Sequence, residues 1–495
     1  MAESATDLAP AGADPGLWNR DLAPVPPAGR TWTWRSFSAL WVGMVVCIPT
    51  YQLASGLIKE GLSAVQAIAL VFLGNLIVLV PMLLTGAMGA KYGLPFPVLL
   101  RSAFGPRGAQ LPALARALVA CGWFGIQTWI GGSAIYGALS ILTGGALASG
   151  PLPFLDINPA QLVCFLLFWS VHLYFIRNGT ESIRKLETIA APFMLLVGVL
   201  LLVWAGQKAH GFGALLSSPS AFEPGGVKAG RFWPTAIGGL TAMVGFWATL
   251  ALNISDFTRF SRSQKDQVLG QAIGLPIPMA LFSFIGVAVT SATVAIYGDA
   301  LWNPVDLATR VGGIGAVIGL IILPLATLNT NIAANVVSPA YDFSNLAPSK
   351  ISFATGGYIT AVIGVLIMPW RLLASADAYI FSWLVGYSAL LGPIAGILVS
   401  DFFLVRRQRL DVDDLFRRGG QYEATAGWNL KGVAALVIGV APNLPGFLHT
   451  VKLVPVVPAV FDGLFAWAWF VGFFLAGGVY WLLNLSRRPA APAAT

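Results

Sequence analysis

The chain has 495 residues, of which 57% are hydrophobic and only 10% charged, and its mean hydropathy is +0.76. A soluble protein of this size needs about 25% charged residues to cover its surface, so secreted and nucleic-acid-binding soluble domains are excluded and a polytopic membrane protein is implied. The formal charge of +8 then reflects cytoplasmic loops beside anionic lipid rather than an acidic partner.

Residues 1–35 are polar, Pro-rich and acidic-leaning. They lack the basic start and apolar core of a signal peptide and read as a cytosolic tail. Runs long enough to cross about 20 residues' worth of hydrocarbon follow at 36–58, 65–90, 108–146, 160–177, 188–206, 233–256, 268–296, 311–338, 351–369, 378–404, 432–448 and 463–484. Twelve spans return the chain to the side on which it started. With the N-terminus inside, Lys and Arg favour the cytoplasmic loops by roughly three to one, the bias expected of a multi-pass protein. The expected setting is the cell inner or plasma membrane with both termini cytoplasmic, 405–431 a cytoplasmic loop, 485–495 a second tail and membrane lipids as surroundings.

The first span contains GMVVCIPTYQLASG. Pro49 has no amide hydrogen for the carbonyl four residues back, so carbonyls near Val45 and Val46 lose partners. The break is either a plain kink or a source of carbonyl ligands for a monovalent cation. The third span carries CGWFGIQTWIGG, where Trp123 and Gln127 lie four apart on one helix face. That face offers a stacking plate and an amide; the alternative is lipid-facing or core packing for Trp123 and an interhelical hydrogen bond for Gln127. Trp129 lies round the helix and packs or faces lipid.

In the sixth span, TAMVGFWATLALNISDFTRF, Gly245 precedes Phe246 and Trp247 and permits an unwound turn or a close backbone approach. The eighth span, ILPLATLNTNIAANVVSPAY, holds Thr327, Asn329, Thr330, Asn331 and Asn335. So many polar groups do not face lipid. Ala326 and Thr330 share a face and place a carbonyl beside a hydroxyl, as an uncharged sodium site requires; the competing reading is an interhelical hydrogen-bond ladder.

Glu60, Asp156, Asp256, Asp377 and Asp401 fall at span ends or in loops, which leaves the spans without a central carboxylate and argues against a buried acidic proton relay or a site for cationic amines. Cys47, Cys121 and Cys164 show no paired spacing, so neither a disulfide framework nor a CxxC metal site is expected. His172, His210 and His449 are scattered, and with no intramembrane His/Cys/Asp/Glu cluster an enzyme is not expected, nor a cofactor. A substrate-gated channel or sensor would differ from a transporter in never exceeding equilibrium.

At these residues the sequence resembles the nucleobase:cation symporter-1 family. The resemblance runs through NRDLAPVPPAGRTW, GLPFPVLLRSAFGPRGAQLPALARALVACGWFGIQTWIGG, NISDFTRF, NTNIAANVVSPAYDFSNLAP and LLGPIAGILVSDFFLVRR, almost the whole chain. It implies an all-α membrane protein of twelve transmembrane helices with the LeuT-like 5+5 inverted repeat: a first five-helix repeat at 36–206, a second at 233–404 and two further helices at 432–484. It implies a secondary active transporter that imports a neutral planar heterocycle, a nucleobase, hydantoin or allantoin, by alternating access. A small molecule and a monovalent cation would be the partners, with no nucleic acid and no obligate protein. Trp123 and Gln127 match the family's WFGFQTW stretch, Trp247 a second stacking tryptophan, and Asn335 the asparagine closing NPAAN. Cys47 stands where a substrate-contacting glutamine is known and Phe246 where a glycine is known, which puts both at the substrate. Sodium ligands carry over as the Gly43, Val46 and Ala326 carbonyls and the Thr330 hydroxyl, with Asn329 in place of a serine. Sodium is the expected coupling ion; the alternative is a proton-coupled permease for a related nucleobase or vitamin-like ring.

Overall fold

The computed structural model describes residues 12–178, 195–209 and 219–485, together with 211, 213 and 216. Outside the described residues lie positions 1–11 of the expected N-terminal tail, 188–194 at the start of the fifth expected span, His210, and 486–495. Among the described residues seven helices are long and apolar enough to cross a membrane, or nine with each of two bent pairs taken as one span, and three shorter apolar helices fall on the fifth, sixth and ninth expected spans. Among the described residues the only extended pairings are two isolated bridges, Trp32 with Ser261 and Thr425 with Trp428.

The first span is α1 (Trp34–Val45) and α2 (Ile48–Lys59), bent by 57°. Pro49 is not the point of rupture. The helix stops at Val46 (φ −77°, ψ 75°), Cys47 is extended (φ −143°, ψ 161°), and Pro49 sits in the first turn of α2, where its missing amide hydrogen costs nothing. α3 (Ala64–Tyr92) begins with a Ser63–Gln66 capping box and stops at Gly93, whose φ of 71° suits glycine. After α4 (Phe96–Phe104) comes the longest element, α5 (Gln110–Leu142), which packs against α6 (Pro159–Asn178), α14 (Gly313–Asn335) and α16 (Phe353–Leu366). The fifth span is α7 (Leu195–Lys208).

The sixth span is interrupted as well. α8 (Phe232–Phe246) gives way at Trp247 (φ −101°, ψ 9°) to α9 (Ala248–Asn253) and α10 (Ser255–Thr258). Gly245 lies in the last turn of α8, not at the break. A Cβ there would strike the Ser388 hydroxyl and come within 2.8 Å of the Leu384 carbonyl, so the residue sets how closely α8 approaches the tenth span. α11 (Gln264–Gly274) and α12 (Pro276–Tyr297) form the seventh span; α13 (Pro304–Val311) lies in the following loop. α14 continues through Val336 into α15 (Val337–Leu346). After α16 and the short α17 (Pro369–Leu372), the tenth span is α18 (Val385–Val399) between two π-helical stretches, Ala378–Leu384 and Ser400–Val405. The last two spans are α19 (Leu430–Val440) with α20 (Leu444–Thr450), and α21 (Ala459–Ala466) with α22 (Ala468–Leu483), the latter pair bent by 86°.

The outward faces of these helices carry bare apolar side chains such as Val80, Leu281, Ile314 and Phe474, an arrangement suited to lipid and not to water. Buried charge collects at one end. Arg116 and Asp342 pair at 3.5 Å, both fully buried. Arg406 pairs with Asp401 at 2.8 Å, and Asp401 also accepts from Ser102 and Tyr480. Residues 12–33 do not trail away from this end; they lie across it. Asp14 donates its amide to the Phe416 carbonyl, Asn19 donates to Ser344 at 2.7 Å, Arg259 donates to the Asp21 carbonyl and Leu22 is fully buried. The loops at the other end hold exposed or half-exposed pairs, Lys59 with Asp299, Lys228 with Glu60 and Arg371 with Asp156. The Lys59 ammonium, hydrogen-bonded to Asp299, holds that carboxyl below its usual range.

Candidate functional site

The broken first and sixth spans meet α5 and α14 around a narrow cleft. Met44, Cys47 and Pro49 come from the first break, Phe246, Trp247, Thr249 and Leu250 from the sixth, Trp123 and Gln127 from α5, and Thr330, Ala334 and Asn335 from α14. All six residues singled out for a substrate, Cys47, Trp123, Gln127, Phe246, Trp247 and Asn335, thus line one space. No Asp, Glu, Lys, Arg or His is among the lining residues.

The aromatic wall is tied down from behind. Ending α8 at Phe246 frees carbonyls of its last turn; the Tyr387 hydroxyl donates to one of them, Gly245 O, at 2.8 Å, and the Trp123 indole N–H donates to the Tyr387 oxygen at 3.2 Å. With its N–H so engaged, Trp123 presents a ring to the cavity. Phe246 stands edge-on to both indoles, 5.2 Å from Trp123 and 4.9 Å from Trp247, and Trp41 supports Trp247 edge-on at 5.1 Å. The two tryptophans therefore flank a phenylalanine corner instead of facing each other across a bare slot. The Gln127 carbonyl oxygen and the Trp247 indole nitrogen are buried with no hydrogen-bond partner. Buried polar atoms of that kind are costly unless something pairs with them, and both residues line the cavity. Cys47 turns its sulfur towards the Thr50 hydroxyl at 3.4 Å.

Beside this cavity, the Thr330 hydroxyl lies 3.2 Å from the Gly43 carbonyl oxygen and 3.4 Å from that of Ala326. Three of the five candidate cation ligands therefore converge where α1 packs on α14. Val46 closes the end of α1 on the same stretch. Asn329, three residues from Ala326 and so on its helix face, has a buried side-chain oxygen without a partner. The donor set is oxygen-only and uncharged, chemistry suited to a hard monovalent ion.

The polar run of α14 divides its labour. Thr330 and Asn335 reach the cavity, whereas Asn331 turns to α5 and α6, bonding to Phe124, Thr128 and His172. Asn253 and Asp256 lie away from the cavity: Asp256 accepts the Phe96 amide at 2.8 Å, and Asn253 bonds to Ser338. Trp129 packs with Phe165 and Trp370. Tyr387, Trp41 and the Arg116–Asp342 pair carried no local pattern that singled them out; each is defined by a partner far away in sequence.

The family model for permeases of cytosine and purines, uracil, thiamine and allantoin matches residues 24–472. The chain belongs to this family, the nucleobase:cation symporter-1 permeases. An Arabidopsis thaliana purine-uracil permease is 46% identical over 483 residues, covering 97% of this chain and 80% of the relative. The allantoin permease of Bacillus subtilis is 39% identical, covering 96% and 95%. Among solved structures, the symporter-1 transporter Mhp1, closed with bromovinylhydantoin bound, superposes with a TM-score of 0.74 at 25% identity over 94% of each chain. Its inward-facing form gives 0.75 over 95% of each. The LeuT-like helical fold expected from the sequence is the fold of these neighbours, and the protein is a multi-pass membrane permease, not an enzyme.

Proposed function

We propose that this permease imports a neutral planar heterocycle, a nucleobase or a ureide ring such as allantoin, by alternating access, with sodium as co-substrate. The observation that carries the reading is the uncharged cavity in which Trp123, Phe246 and Trp247 offer aromatic surface while Gln127 and Asn335 offer amides. A flat ring gains about 1–3 kcal/mol per stacked aromatic face, and an amide edge complements alternating C=O and N–H groups. The names of the relatives, purine-uracil and allantoin permeases, support the same class. Cys47 and Phe246 shape the walls and set which ring fits.

Sodium is favoured by the convergence of Gly43, Ala326 and Thr330 oxygens and by a lining without a protonatable acid or imidazole; Val46 and Asn329 complete the proposed set. Residues 36–206 and 233–404 form the two repeats, with 432–484 the additional pair, and the end carrying residues 12–33 faces the cytoplasm, consistent with the distribution of Lys and Arg. The test is uptake of radiolabelled uracil and allantoin into proteoliposomes under an imposed sodium gradient or an imposed pH gradient. Accumulation above equilibrium is expected with the sodium gradient alone; accumulation that follows pH and ignores sodium would replace the coupling ion with a proton.

A further inference from the structure

Behind Asn335 lies a buried relay that the proposed function leaves unused. His172 on α6 is fully buried between Phe124 and Phe168, with ring centroids 5.1 and 4.7 Å away. Its Nδ1 lies 2.9 Å from the Phe168 carbonyl oxygen. A carbonyl only accepts, so Nδ1 carries the hydrogen and Nε2 is left as a lone pair. That lone pair faces the Asn331 side-chain nitrogen at 3.0 Å. The same nitrogen faces the Phe124 carbonyl at 3.0 Å and the Thr128 hydroxyl oxygen at 3.2 Å, and that hydroxyl spends its own hydrogen on Phe124. Three acceptors thus surround the Asn331 NH2 group and forbid the flipped amide. Its oxygen must point the other way, where it accepts from the Asn335 side-chain nitrogen at 3.0 Å. Asn335, which lines the cavity, is then held with its nitrogen turned back to Asn331 and its oxygen left for the guest.

We infer that His172 and Asn331 are positioning residues that lock the Asn335 amide as an acceptor, so that the site selects rings presenting a ring N–H beside a carbonyl over shape-matched rings that present a bare ring nitrogen there. The orientation of three side chains is dictated, step by step, by two backbone carbonyls that do not move relative to their helices. An asparagine free to flip would accept either edge; this one is not free. The inference rests on the proposed function, because it assumes that Asn335 meets the guest.

Two pairs of rings test it without a change of shape: uracil against cytosine, and hypoxanthine against adenine. In each pair the N–H and carbonyl of one ring are replaced by a lone pair and an amino group in the other. Binding to purified protein is measured for the wild type, Asn331→Leu, His172→Leu and His172→Gln. The wild type is expected to favour the N–H ring by about tenfold or more, as sites built around a hydrogen bond do. In Asn331→Leu the ratio falls towards one. It falls several-fold in His172→Leu and returns in His172→Gln, whose side-chain oxygen reaches the place of Nε2. A purely structural role would lower the melting temperature of these variants and leave the ratio alone. Should Asn331→Leu fail to fold, the two His172 variants carry the comparison. A ratio unchanged in His172→Leu and Asn331→Leu, or a wild type preferring cytosine or adenine, would overturn the inference alone. No binding of uracil, hypoxanthine or allantoin to the wild type would overturn the function on which it stands.

Discussion

Trp123 and Gln127 were legible as a pair because four residues is one helical turn and a single face, and a polar amide beside an indole inside an apolar run needs a partner. What sits behind them was not. Tyr387 bonds Trp123 across 264 positions of sequence and His172 meets Asn331 across 159, and no periodicity encodes such contacts. His172, scattered among apolar residues in the sequence, acquires a defined tautomer only from the Phe168 carbonyl one turn back. At the proposed ion site, Thr330→Ala removes one of three converging oxygens. The sodium concentration for half-maximal ring binding is expected to rise by about tenfold, equivalent to about 1.4 kcal/mol, with ring affinity at saturating sodium little changed. A sodium titration superimposable on the wild type would remove Thr330 from the site.

At the scale of elements, the sequence placed both interruptions within a few residues and misplaced the centre of the first. Pro49 marks a break because a proline in mid-helix is expensive, yet the chain resolves the conflict by putting it in the opening turn of α2 and rupturing at Val46–Cys47. Of the two readings open for Gly245, an unwound turn or a close backbone approach, the structure has the second: the residue lets α8 lie against the tenth span, with Trp247 taking the break. Gly245→Ala is therefore expected to destabilise by about 1–3 kcal/mol, the usual cost of forcing extra volume into a packed contact. A drop in melting temperature of the purified protein should report it. Ser388→Gly would relieve only the hydroxyl contact and leave the Leu384 carbonyl, so the double variant should stay below the wild type. A Gly245→Ala protein melting with the wild type would mean that α18 can withdraw.

Over the whole molecule, the apolar surface and the segregation of charge were readable from composition because lipid leaves few other options for 57% hydrophobic residues. The packing of residues 12–33 across one end was not, since a polar, Pro-rich stretch has the same composition whether docked or loose. Nor was Asp342, which pairs with Arg116 out of contact with water. The two ends should respond unequally to loss of a cation. Arg116→Met strands a buried carboxylate and is expected to cost about 3–5 kcal/mol, whereas Lys59→Met breaks a solvent-screened pair and should move the melting temperature by no more than about 0.5 kcal/mol permits. Equal losses in the two variants would contradict the burial assigned to them.

The central claim, that an uncharged aromatic cavity at the meeting of the broken spans holds a flat neutral ring, is tested most directly by ligand-induced thermal stabilisation of purified protein with uracil, hypoxanthine, allantoin and the negatively charged orotate. The wild type should be stabilised by at least one of the neutral rings, more so with sodium present and not by orotate, and Trp123→Ala and Trp247→Ala should lose that stabilisation while remaining folded. Stabilisation that survives in both tryptophan variants, or that is greatest with orotate, would contradict the account.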